Sequence, residues 1–223
     1  MVSVLICVPS YDGKINISTM ESIIKLVMMF SSQSIQTELF SICHESLIPR
    51  ARNVCGCKLL QSKHTHLLFI DTDISFDAKD IFRMLNAKKG IVCCLYPKKG
   101  YPIEFPVDEV RKCEDIDLCV ATHGPTGLML IDKNVFNSIY SNLSSEVYIN
   151  DLEQYNDYTI NGMLYNFFYT GIHNNQYLSE DYGFCQRAKM FGFYTYILLN
   201  TELSHIGNHT YTAKFPPKEN MLL

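Results

Sequence analysis

Nearly unbroken apolar runs constrain this chain more than anything else in it: VSVLICV (2–8), HLLFI (66–70), GIVCCLY (90–96) and YTYILL (194–199). A strand wet on one face alternates apolar with polar residues. Continuous runs of this length belong to strands covered on both faces, as in a mainly parallel sheet between helices. Segments of helical period lie between them. Ser18 and Glu21 of STME form a capping box opening a helix whose apolar face is Met20, Ile23, Ile24 and Val27. A weaker strand spans about Ile35 to Ile42, and a helix starts near Leu47 with Pro49 in its first turn. DAKDIFRMLNA (77–87) is the next helix. The expectation is an α/β fold with a mainly parallel central sheet flanked by helices.

Beyond Pro97 the pattern is less regular. DLCVATHGPTGLMLI (117–131) reads as strand, turn, strand. DKNVFNSIY (132–140) is a short helix capped by Asp132. SEDYGFCQRAKMFGF (179–193) is a helix capped by Ser179 and stopped near Gly192, and YTYILL is the last strand.

Composition excludes several classes. With 223 residues, 47% hydrophobic and 19% charged, the chain can bury a sizeable core and is not disordered. A formal net charge of −4 supplies no basic field for a nucleic-acid backbone, so no nucleic-acid partner is expected. The nine cysteines include no C-x-x-C pair and read as buried thiols in a reducing compartment. MVSVLICVPSYDG lacks a basic leader and reads as a first strand rather than a signal peptide. SIIKLVMMF (22–30) contains Lys25 and is too short to span a bilayer, so no membrane span is expected.

The run HLLFI ends on Asp71, Thr72 and Asp73. Ligands of open parallel sheets bind beyond the carboxyl ends of the strands. Residues two apart in extended chain point the same way, so both carboxylates can face one cation. The following helix already has Ser75 and Asp77 as caps, which leaves Asp71 and Asp73 without a structural task. In RARN (50–53), Arg50 and Asn53 share a helical face, while Arg52 lies about 200° from Arg50. Arg50 and Asn53 are therefore expected at the ligand, with Arg52 replacing Arg50 if the helix starts later. HGPTG (123–127) reads first as a tight turn, and its glycines also permit a close backbone approach to a ligand.

FIDTDISF (69–76), preceded by VPSYDG (8–13) and ESLIPRARN (45–53) and followed by SEDYGFCQRAKMFGF and LSHIG (203–207), resembles the GT-A glycosyltransferases. The likeness is to the small single-domain enzymes of large DNA viruses, the chlorella virus rhamnosyltransferase domain among them. It implies one GT-A domain over 1–223, with a nucleotide-sugar half (1–99) and an acceptor and metal-completing half (100–223). It also implies transfer of a hexosyl or deoxyhexosyl group from a nucleoside diphosphate donor, a UDP-sugar, to a glycan or other hydroxyl acceptor, in the cytoplasm (the host's, if the chain is viral). By resemblance, Pro9 and Tyr11 line the nucleotide pocket, and Asp71, Thr72, Asp73 and Gly127 meet the donor, with His123 beside it. Asp71, Asp73 and His205 hold Mn2+ or Mg2+, with His209 a nearby competitor. Asp181 orients or deprotonates the acceptor, with Glu180 beside it. Two alternatives stay open: an Asp-X-Asp phosphohydrolase, and a fold that binds a nucleotide sugar or glycan without turning it over.

Overall fold

The structure, a computed structural model, describes residues 1–142 and 146–216. Its elements run β1 (Ser3–Ser10), α1 (Ile17–Ser32), β2 (Gln36–Cys43), α2 (Ile48–Gln61), β3 (His66–Ile70), β4 (Ile74–Ser75), α3 (Ala78–Asn86) and β5 (Ile91–Cys93). There follow β6 (Arg111–Lys112), β7 (Leu118–Ala121), β8 (Leu128–Asp132), α4 (Lys133–Tyr140), β9 (Val147–Ile149), a 3-10 turn at Glu153–Tyr158, β10 (Met163–Tyr165), β11 (Gly171–His173) and β12 (Gln176–Leu178). α5 (Glu180–Met190), β13 (Thr195–Leu198), β14 (Thr201–Ile206) and β15 (Thr210–Phe215) complete the order.

Eight strands form the central sheet in the order β2-β1-β3-β8-β5-β13-β7-β6. β1 pairs parallel with β2 and β3, and β5 with β13, whereas β8 and β7 run against their neighbours. Most strands therefore point one way, as the apolar runs require. The chain has the expected α/β architecture, and strands from either side of residue 99 interleave in one sheet. Alternate residues of each strand feed opposite layers. Leu5, Cys7, Leu67 and Phe69 pack with Val54, Phe136 and Phe184 under α2, α4 and α5. Val4, Ile6, Leu68 and Ile70 pack with Ile23, Leu26, Phe30 and Ile81 under α1 and α3.

Several local expectations change. α1 is capped by Asn16, whose side chain accepts from Ser18 N, so Ser18 and Glu21 are not its capping box. Its buried face is Thr19, Ser22, Ile23, Leu26 and Phe30, while Ile24 and Val27 are exposed. Ser22 faces inward because its hydroxyl accepts the Phe76 N–H and donates to the Ser18 carbonyl, so a polar residue is fully paired inside. Asp77 caps α3 alone, and Ser75 lies in β4. HGPTG is no hairpin turn: β7 and β8 stand apart in the sheet, with β5 and β13 between them. YTYILL is not the last strand either. β14 and β15 follow and join β4 in a three-stranded sheet.

Candidate functional site

The carboxyl ends of β1, β3 and β5 open on one edge of the sheet, and β8, running the other way, begins there at Leu128 opposite Ile70. After Ile70 the chain turns instead of continuing extended: Asp71 N donates to the Gly127 carbonyl at 2.9 Å, and Ile74 N reaches the Asp71 carbonyl. The parity that would aim Asp71 and Asp73 at one cation is lost in this turn. Each carboxylate has its own partners.

Asp71 Oδ1 accepts from Arg52 Nη2 at 2.9 Å. The Arg52 side chain is 4% exposed, its Nε lies 3.5 Å from Glu180 Oε1, and its guanidinium sits over the Phe69 ring. Burial opposes its charge, but Asp71 and Glu180 outweigh that and keep it protonated. For Glu180, burial dominates and raises the pKa, Arg52 opposes, and neighbouring Asp181 adds to the rise. Arg50 instead donates from Nε and Nη2 to Glu45, at 2.8 and 2.9 Å, and Tyr155 and Leu47 N complete that carboxylate. Asn53 accepts from Phe168 N and bonds Asn166 and Tyr148. The phase of α2 is thus corrected: Arg52 reaches the aspartate, and Arg50 and Asn53 bind neighbouring segments. The single-face reading fails because α2 is covered on several sides; every residue from Ala51 to Cys57 is buried.

Asp73 Oδ2 takes Lys99 Nζ at 2.5 Å and lies 3.5 Å from His205 Nε2. Burial works to raise the Asp73 pKa, but His205 and Lys99 hold the carboxyl below its usual range. His205 stands inside β14, not after the last strand. β14 pairs with β4, placing His205 opposite Ile74, and Ile206 N donates to the Asp73 carbonyl. His205 Nδ1 lies 2.9 Å from the Pro97 carbonyl, which can only accept, so that nitrogen carries hydrogen. The protonated ring donates from Nε2 toward Asp73, and the neutral ring leaves Nε2 as a ligating nitrogen. His209 is exposed in the turn after β14.

Tyr96, which the sequence reading did not single out, sits amid these groups. Its ring meets His205 edge-on at 5.1 Å. Burial, followed by the charges of Asp71 and Asp181, pushes its hydroxyl well above the usual value. A Cβ on Gly127 would come within 2.6 Å of the Tyr96 ring and hydroxyl, so the glycine admits that ring against its backbone. His123 is stacked on Tyr182 and paired with Asp108. Asp181, in the first turn of α5, accepts from Ser179 Oγ and Tyr182 N through Oδ1.

Beside the end of β1 lies a cleft of about 160 Å3, lined by Val8, Ser10, Ile15, Leu39, Cys43 and Thr72 among others. Pro9 is buried and, by the pleat, turns to the other side of the sheet from Val8 and Ser10. Tyr11, 68% exposed, follows β1 in the next loop. The loop is tied to the aspartate turn, since Asn16 N donates to the Thr72 carbonyl at 2.9 Å.

The chain resembles A197 from STIV, at 16% identity over 93% of this chain and 86% of that one, with a TM-score of 0.53. The two share an α/β fold. The inositol-1-phosphate CTP transferase from T. maritima aligns at 8% identity over 90% of this chain and 88% of that one, with a TM-score of 0.45. A glycosyltransferase involved in the glycosylation of the major capsid of PBCV-1 aligns at 13% identity over 63% and 67%, with a TM-score of 0.33. No protein-family model matches the chain, and no curated protein matches its sequence. At these identities the likeness is one of fold.

Among the described residues no three His, Cys, Asp or Glu side chains converge on one point. Asp73 and His205 fit a divalent cation by donor chemistry, with the Lys99 ammonium on the same carboxylate, whereas Asp71 is engaged by buried Arg52. The groups that sequence reasoning missed carried one readable signal. Tyr96 and Lys99, in YPKKG, follow an apolar strand just as Asp71 follows HLLFI.

Proposed function

We propose that the chain transfers a sugar from a nucleoside diphosphate donor, a UDP-sugar, to a hydroxyl of a glycan or similar acceptor. The observation that carries this reading is the pairing of Asp73 with His205 at a strand end whose turn, through Thr72, also forms one wall of the cleft beside β1. At about 160 Å3 that cleft is smaller than a whole-ligand pocket, typically about 300 Å3 and above, and suits one flat ring of a nucleotide. Exposed Tyr11 can close over such a ring.

Asp73 and His205 would hold the divalent cation, manganese in preference to magnesium because imidazole nitrogen suits the softer metal. When bound it neutralises charge on the departing diphosphate. Arg52 fixes Asp71 and Glu180 and so holds the donor side of the site against α5. Asp181 keeps Oδ2 for the acceptor: the acceptor oxygen bonds to the anomeric carbon, its proton passes to Asp181, and the diphosphate leaves with the electrons of the broken bond.

The phosphohydrolase alternative needs an unencumbered aspartate nucleophile on the first strand. Asp71 is held by Arg52 and follows the third. Cys7, Cys43, Cys55, Cys57, Cys93, Cys94 and Cys185 are thiols, as a reducing compartment such as the cytoplasm keeps them. No helix among the described residues is long and apolar enough to cross a membrane. Titrating UDP with and without manganese tests the donor site: cation-dependent binding supports the reading, and equal indifference to both ligands removes it.

A further inference from the structure

We propose that Lys99 is an exchangeable cation of this site: its ammonium neutralises Asp73 in the protein without a divalent metal and passes to the donor's diphosphate when the metal takes the carboxylate. The inference rests on the donor-site reading above and adds to it a residue and an order of events.

One oxygen carries the case. Asp73 Oδ2 is the atom that Lys99 Nζ contacts at 2.5 Å and the atom that His205 Nε2 faces at 3.5 Å. A divalent cation held between Asp73 and His205 occupies the same space as the ammonium, because two cations on one carboxylate oxygen repel each other. The ammonium then has to leave, yet its backbone does not. The segment after β5 is clamped on the β14–β15 hairpin by the Pro97 carbonyl on His205, by the Tyr101 and Tyr211 rings at 5.4 Å, and by Phe105 against Phe215 at 5.2 Å. The lysine stem lies against Gly207, where an added Cβ would come within 3.2 Å of its Cδ. A displaced Nζ thus stays within the length of its own stem of Asp73, in reach of a diphosphate that would be held there.

The side chain is suited to both states. Lys99 is 39% exposed, so its ammonium can move without unfolding anything, and its flexible stem serves as a mobile point charge. Lys98 is engaged with Glu104, at 3.1 Å, and does not substitute for it.

The test is calorimetric titration of Mn2+ alone, and of UDP at saturating Mn2+, into wild type, Lys99→Met and Lys99→Arg, with the melting temperature as a fold control. Because the pair is partly exposed, Lys99→Met is expected to bind Mn2+ alone about two- to fivefold more tightly. It is expected to bind UDP in the presence of Mn2+ about tenfold more weakly. Lys99→Arg, which keeps the charge, should recover the UDP affinity. A Lys99→Met protein with wild-type affinity for both probes, or with weaker Mn2+ binding, makes Lys99 a surface ion pair only and overturns the proposal while leaving the donor site standing. Wild type that binds neither Mn2+ nor UDP removes the donor-site reading and this proposal together.

Discussion

Arg52 and Asp71 meet at 2.9 Å, Nη2 to Oδ1, beneath the mouth of the site, and the same guanidinium reaches Glu180 on α5. One buried cation therefore links the strand end that carries the aspartates to the helix that carries Glu180 and Asp181. Removing one partner of such a pair leaves uncompensated charge, at about 3–5 kcal/mol for full burial and less here because both carboxylates are partly solvated. Arg52→Ala is expected to weaken UDP binding strongly, and Arg50→Ala to leave it near wild type, since Arg50 serves Glu45. Comparing the two dissociation constants decides it; a larger loss in Arg50→Ala would contradict the assignment.

Gly127→Ala is expected to disturb the site from its floor. The added methyl falls within 2.6 Å of Tyr96, which must shift, and with it the ring edge against His205. Overpacking of this kind costs about 1–3 kcal/mol. A melting temperature and UDP affinity both unchanged would show that the Tyr96 packing is not needed.

Cys43 reports on the cleft. It is exposed and lines the cavity beside β1, whereas burial raises the thiols of Cys93 and Cys94 well above their usual pKa and those of Cys57 and Cys185 to about 12. Thiolate is the reactive form, so Cys43 is expected to react first with a thiol reagent, the deeply buried cysteines only on unfolding. UDP should slow the Cys43 reaction. Labelling indifferent to UDP would place the nucleotide elsewhere.

His205 and His209 separate a metal ligand from a neighbour. His205→Ala is expected to abolish the manganese dependence of donor turnover, and His209→Ala to keep it, because His209 lies exposed beyond β14. If both variants keep the wild-type dependence, water and donor oxygens complete the cation shell and His205 does not.

Much of the frame was legible because unbroken apolar strands and helical periods are local signals. β1, β3 and β5, and the Asp77 and Asp132 caps, stand where the sequence places them. Asp71, Asp73, Gly127, His205 and Glu180, each singled out in the sequence, gather at one edge of the sheet. What the sequence concealed depends on tertiary coverage. Arg52 faces inward because α2 is packed on several sides, a fact no single helical stripe contains. Likewise, His205 meets Asp73 through a two-residue strand, β4, too short to show as a period.

The most direct test of the donor-site claim is nucleoside diphosphate release from a panel of nucleotide sugars, with manganese and with chelator, by wild type and Asp73→Ala. The expected result is UDP release from one or more UDP-sugars by wild type with manganese, lost with chelator and in the folded Asp73→Ala protein. Phosphate release from simple esters with no turnover of any nucleotide sugar, or nucleotide-sugar binding without any release, would contradict it.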